Sequence, residues 1–178
     1  MRLTRHHVLV VLTLVATGAA CGPSAVQLRA ARDAQYQGSR EEVLGKARAA
    51  VEPSYAVEAV DEAAGIIVTA PRWYEPDGGN LGTGDTDREG GMAVRTEAGS
   101  VSLAFRVRVV GDAPPYRVLV EPIAKQKRSN YSALYEYMPD DPAMPGWVTG
   151  KVDNLQLEVH GRLERWVAVA PPSDVAAN

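Results

Sequence analysis

Val101-Ser102-Leu103-Ala104-Phe105-Arg106-Val107-Arg108-Val109 is the stretch that decides the fold. Every odd position is apolar, and the even positions are Ser102, Ala104, Arg106 and Arg108. Side chains of a strand point alternately to its two faces, so this stretch has one buried face and one wet face. Such alternation belongs to an antiparallel sheet covered on a single side. A slip of one residue would bury both arginines, which makes the register firm. Gly111 to Pro115 turn the chain. Tyr116, Val118 and Val120 then alternate with Arg117, Leu119 and Glu121 in the returning strand.

Outward from this pair the spacing changes. Ala124 to Pro145 is irregular. From Trp147 onward, Val148, Val152, Leu155, Val159, Leu163 and Trp166 recur every three or four residues. That period predicts a long amphipathic helix, ended by Pro171-Pro172. Upstream, Tyr55–Val60 and Ile66–Ala70 flank a short segment ending in Gly65 and predict a hairpin. Trp73 and Tyr74 extend its second strand at an edge, beyond Pro71. Ser39-Arg40-Glu41-Glu42 spells a capping box, and Val43, Leu44, Ala47, Ala50 and Val51 follow at helical spacing until Pro53. Val26, Leu28, Ala30 and Tyr36 alternate weakly and predict a first strand over 26–36. A Gly-rich loop over 75–91 and a short strand over 92–96 complete the domain. The layout is α+β: a single antiparallel sheet of about four to six strands packed by two α-helices.

The chain has 178 residues, 19 Lys+Arg against 22 Asp+Glu, a formal net charge of −3, one Cys and three His. This balance argues against a dedicated nucleic-acid binder. One Cys excludes an intramolecular disulfide framework and a multi-Cys zinc site. Arg2 and Arg5 precede the apolar run Val8–Val15, and the small residues Ala16–Ala20 lead to Cys21. A basic start, an apolar centre and a small-residue cleavage region describe a secretory signal peptide. The run is far short of the ~20 residues of a spanning helix. Gly18-Ala19-Ala20-Cys21 resembles the bacterial lipoprotein signal, with Gly18 where Leu is commonest. The resemblance implies that residues 1–20 are removed and that Cys21 is lipidated, with 21–25 as the tether. Gly22, in place of an Asp that retains such proteins in the inner membrane, implies a periplasm-facing outer-membrane location in the bacterial envelope. Residues 26–170 then form the single domain and 171–178 a flexible tail. Losing 20 of the 178 residues, with Arg2 and Arg5 among them, leaves 158 residues, 17 basic against 22 acidic, and a net charge of −5.

Few constellations bear chemistry. Asp85, Asp87, Glu89 and Gly90 imitate the start of a calcium loop, but Thr96 stands where the closing Glu belongs and Arg88 sits among the ligands. Gly78-Gly79-Asn80-Leu81-Gly82-Thr83-Gly84 lacks the following helix that a phosphate cradle needs. His160 would be the only imidazole of the mature chain, with no nucleophile motif to serve and too few partners for zinc. Asp140 and Asp141 are adjacent in a loop, without a cleft to span. These readings point to no cofactor, no metal and no catalysis. For binding there are two candidates. Arg106, Arg108 and Arg117, near the run Lys125-Gln126-Lys127-Arg128, place positive charge on one sheet face, unless Glu121 pairs with it. Tyr131, Tyr135, Tyr137, Met138, Met144 and Trp147, and separately Trp73 and Tyr74, either present an interface or fold over their own sheet.

The element order, with Ser39–Glu42 to Pro53, Tyr55-Ala56-Val57 and Gly65-Ile66-Ile67-Val68-Thr69, resembles the domains of BamC-like lipoproteins. Those are accessory parts of the outer-membrane β-barrel assembly machinery. The resemblance implies a non-catalytic binding or assembly accessory with a membrane anchor and an envelope protein partner. A periplasmic ligand carrier or enzyme is the alternative.

Overall fold

The computed structural model describes residues 23–82, 95–128, 134–139 and 141–167. The fold is α+β, with three helices on a curled antiparallel sheet. The helices are α1 (Ala25–Asp33), α2 (Arg40–Val51) and α3 (Gly146–Leu163), the last running into a 3-10 turn at Glu164–Trp166. The strands are β1 (Val57–Asp61), β2 (Ile66–Thr69), β3 (Arg72–Tyr74), β4 (Asn80–Gly82), β5 (Val101–Val110), β6 (Arg117–Lys127) and β7 (Leu134–Glu136).

β5 is the hub. It pairs with β6 over its whole length, from Val101 opposite Gln126 to Val110 opposite Arg117. On its other side it meets β2 through Ile66–Val68 and β3 through Arg72–Tyr74. Between these two contacts, three residues (Thr69, Ala70, Pro71) oppose two (Ala104, Phe105). This is the count of a β-bulge, so β2 and β3 act as one interrupted strand. Pro71 brings no N–H to the ladder. The Thr69 hydroxyl accepts the Phe105 N–H at 2.9 Å and fills the interruption. Trp73 and Tyr74 therefore lie between β5 and β4, not at an edge as expected.

The expected alternation holds along β5 except at Ala104, which is buried on the face expected to be wet. Val101, Leu103, Phe105, Val107 and Val109 are buried beneath α2 and α3, while Arg106 faces water. From α2 come Val43, Leu44, Ala47, Ala50 and Val51; from α3 come Val148, Leu155, Val159 and Leu163. The Ser39 capping box is made in full: Ser39 Oγ accepts the Glu42 N–H and Glu42 Oε2 accepts the Ser39 N–H at 2.8 Å. The donated amide holds the Glu42 carboxyl below its ordinary range.

The expected strand over 26–36 is instead α1, the third helix. Its capping box, Ser24 with Gln27, is written in the sequence. Leu28 and Ala31, three apart, turn inward, and Leu, Arg, Ala and Gln favour a helix over a strand. Only Tyr36 joins the sheet, by single bridges to Tyr116 and Val167. The second of these explains why the last helix stops near Trp166 and does not reach Pro171. The Gln37 N–H donates to the Trp166 carbonyl, and Val167 is drawn out beside Tyr36. The region read as irregular over 124–145 holds the end of β6 and all of β7, which pairs Glu136 with Lys125. β4 falls within the expected Gly-rich loop, and most of 92–96 lies outside the described residues.

One buried amide joins three elements. Gln156 of α3 is 2% exposed. Its Oε1 accepts the Val120 N–H at 3.0 Å, and its Nε2 donates to the carbonyls of Val118 (3.0 Å) and Ala31 (3.2 Å). Among the described residues, β6 has no strand beside 117–121 other than β5, so the side chain substitutes for a neighbouring strand there. Gln156→Leu would strand two carbonyls and one N–H in the interior. It is expected to cost about 3 kcal/mol, read as a lowered denaturant midpoint with an unchanged slope.

Candidate functional site

β-register assigns each functional side chain to a face. Arg106 opposes Glu121, and Arg108 opposes Leu119, on the side of the sheet away from α2 and α3. One carboxylate serves both arginines. Arg108 Nη2 donates to Glu121 Oε1, whereas Arg106 Nη1 stands 4.0 Å from Oε2, beyond hydrogen-bond reach. The Arg108 Nε–H is buried and has no acceptor among the described residues. Two cations on one anion leave this face with surplus charge and spare donors. The two side chains remain 47% and 39% exposed, so the pairing is screened and contributes little stability. Around them lie the half-buried aliphatic side chains of Ile66, Val68, Leu119 and Ile123. Lys125 pairs with Glu136 at 3.5 Å. Arg117 is drawn away to α1, donating to the Arg32 carbonyl, with Asp33 at 3.9 Å. Of the basic residues expected on this face, Arg106 and Arg108 share Glu121, the cross-strand pairing named as the alternative, and Arg117 and Lys125 stand beside Asp33 and Glu136.

The aromatic candidates separate. Tyr74 and Tyr137 are core residues, and burial raises both phenols above their ordinary range. Trp73 is 7% exposed, opposite Ser102. These three are therefore not an exposed interface, because register turns Tyr74 under α3 while the end of β7 lays Tyr137 against Ala124. Trp147 closes the N-terminal end of α3. Its indole N–H donates to the Pro76 carbonyl at 3.0 Å, and its ring lies 5.2 Å from that of Tyr74. Gly78 sits at φ +96° against the Trp147 ring, where a Cβ would approach to 2.9 Å. That glycine belongs to a packing contact, and β4 follows it instead of a phosphate-binding helix. Lys151 covers the pair with its ammonium 4.6 Å from the Tyr74 ring. Tyr135 is half-buried, donates to Asp141 at 2.6 Å and carries the Arg128 guanidinium 3.6 Å above its ring. That hydrogen bond raises the Tyr135 phenol and lowers the Asp141 carboxyl. Tyr131, Asp140 and the carboxylates over 85–89 lie outside the described residues, as does Cys21.

His160 has a structural partner. Its Nδ1 shares a 2.9 Å hydrogen bond with the hydroxyl of Tyr36, which is fully buried. Among the described residues, no three His, Cys, Asp or Glu side chains gather as metal ligands. Gln156 and Tyr36 escaped the sequence reading. The first was one polar residue inside a helical period, and the second ended a misread strand.

Burial pushes the Tyr36 phenol up to about 12 from 10.0. The unfolded chain therefore ionises first. Stability from this group is complete below about pH 10 and is lost as pH rises toward 12. Tyr36→Phe is expected to cost about 1 kcal/mol at neutral pH and to flatten part of the alkaline decline in the unfolding midpoint. Comparison with family models, with curated proteins and with solved structures found no match.

Proposed function

We propose that this chain is an exported lipoprotein of the bacterial outer membrane, anchored through Cys21, that serves as a non-catalytic binding or assembly accessory. The observation that carries the reading is the place of the lone Cys. It follows the small residues Ala16–Ala20 and precedes by four residues the capped start of α1 at Ala25. Two or three acyl chains on Cys21 hold a protein firmly on a bilayer. The binding role rests on the sheet face of Arg106 and Arg108, whose donors exceed their acceptors and whose aliphatic neighbours are half-buried. Arginine among apolar side chains is the composition favoured at protein interfaces. An envelope protein presenting carboxylates fits this face.

Cell fractionation and mass spectrometry of the amino-terminal peptide test the anchor. The wild-type protein is expected in the membrane fraction with an acylated Cys21, and Cys21→Ser protein in the soluble fraction. Membrane sedimentation of Cys21→Ser protein would refute the anchor. A photo-crosslinking residue at Leu119 is expected to form an envelope-protein adduct that Arg106→Glu abolishes. One at Arg48 on α2 is expected to form none.

A further inference from the structure

We infer that α1 is the foot on which the domain rests, with its outward strip against the lipid headgroups of the membrane that holds Cys21. This deepens, and rests on, the proposed anchor. Three residues separate Cys21 from Ala25, so over four Cα–Cα steps the chain reaches at most about 14 Å from the acylated residue to the first turn of α1. The helix is not free to swing away. Gln156 holds the Ala31 carbonyl, Arg117 holds the Arg32 carbonyl, and Arg32 pairs with Asp153. Leu28 and Ala31 face the domain, which turns Val26, Arg29, Ala30 and Asp33 outward. Val26 is 79% exposed, followed among the described large apolar residues by Met138 (69%), with Val110 (38%), Leu134 (41%) and Val167 (37%) lower.

The chemistry suits the boundary between headgroups and acyl chains. Small apolar side chains can enter it, Arg29 meets phosphate oxygens, and the Asp33 charge is partly answered by Arg117 at 3.9 Å. None of these contacts would bind a vesicle unaided. With the anchor in place the encounter is intramolecular, and a weak contact is populated because its effective concentration is high.

The test uses the full lipidated protein with Val26→Cys. Acylation of Cys21 leaves residue 26 as its only free thiol, and substitution at so exposed a position leaves the fold intact. A nitroxide there, in vesicles of phosphatidylethanolamine and phosphatidylglycerol, is expected to be at least threefold less accessible to a water-soluble nickel relaxant than one at Ala59 on β1. Equal accessibility at the two positions, with Cys21 shown acylated by mass spectrometry, overturns the inference while sparing the anchor. An unacylated Cys21 overturns both. Dipolar broadening at residue 26 that persists in detergent places a second copy of the chain on the strip and also overturns the inference.

Discussion

The ten-residue register between β5 and β6 is the constraint on which the other elements depend. It sets Val107 against Val120 and Val109 against Val118 on the covered face, and Arg106 against Glu121 on the other. A slip of one residue keeps neither arrangement, because the period of two would move every apolar side chain to water and both arginines into the core. Once the register is set, α2 and α3 have one apolar surface to cover. The bulge at Thr69–Pro71 then lets a single interrupted strand complete the other side of β5.

Pairing on β5 leaves the far edge of β6 open where β7 does not reach. Unpaired edge groups invite association with other strands. Here they are closed from within the domain by Gln156, and by the reciprocal bonds between Tyr36 and Tyr116. The same two residues bind α1 to the body of the domain, Gln156 through the Ala31 carbonyl and Tyr36 through the segment that follows the helix. Edge protection and attachment of the first helix are thus one arrangement. On the opposite side, β1 is shortened by a bulge at Val57–Ala59 and carries Glu58 and Asp61, which discourage pairing there.

The strongly periodic parts of the chain were legible: β5 and β6 by alternation, α2 by its capping box, and α3 by its spacing. α1 was misread because three apolar residues at alternate positions are too few to separate a strand from a helix. The Ser24–Gln27 box held the better signal. The bulge was not legible, since Pro71 announces an interruption without saying that the chain returns to the same neighbour. The sharing of Glu121 between two arginines followed from register and was legible as an alternative. Separating buried from half-buried aromatics was not, because that depends on how the β6–β7 connection and α3 close together.

The chemistry-bearing residues are largely occupied by the fold itself. His160 holds Tyr36, Trp147 holds the Pro76 carbonyl, and Tyr135 holds Asp141. Arg108 and Arg106 differ, because their shared carboxylate answers only one of them at hydrogen-bonding distance. A protein whose polar side chains mostly satisfy one another has few places left at which to recognise something else. On the proposed reading, the described residues offer two surfaces for recognition. The sheet face meets a partner through arginine, and α1 meets the bilayer beside Cys21. Gln156 connects them physically, since it holds α1 and β6 in one rigid arrangement through Ala31, Val118 and Val120. The orientation of the arginine face relative to the membrane would therefore be fixed by a buried amide, not by the length of the tether.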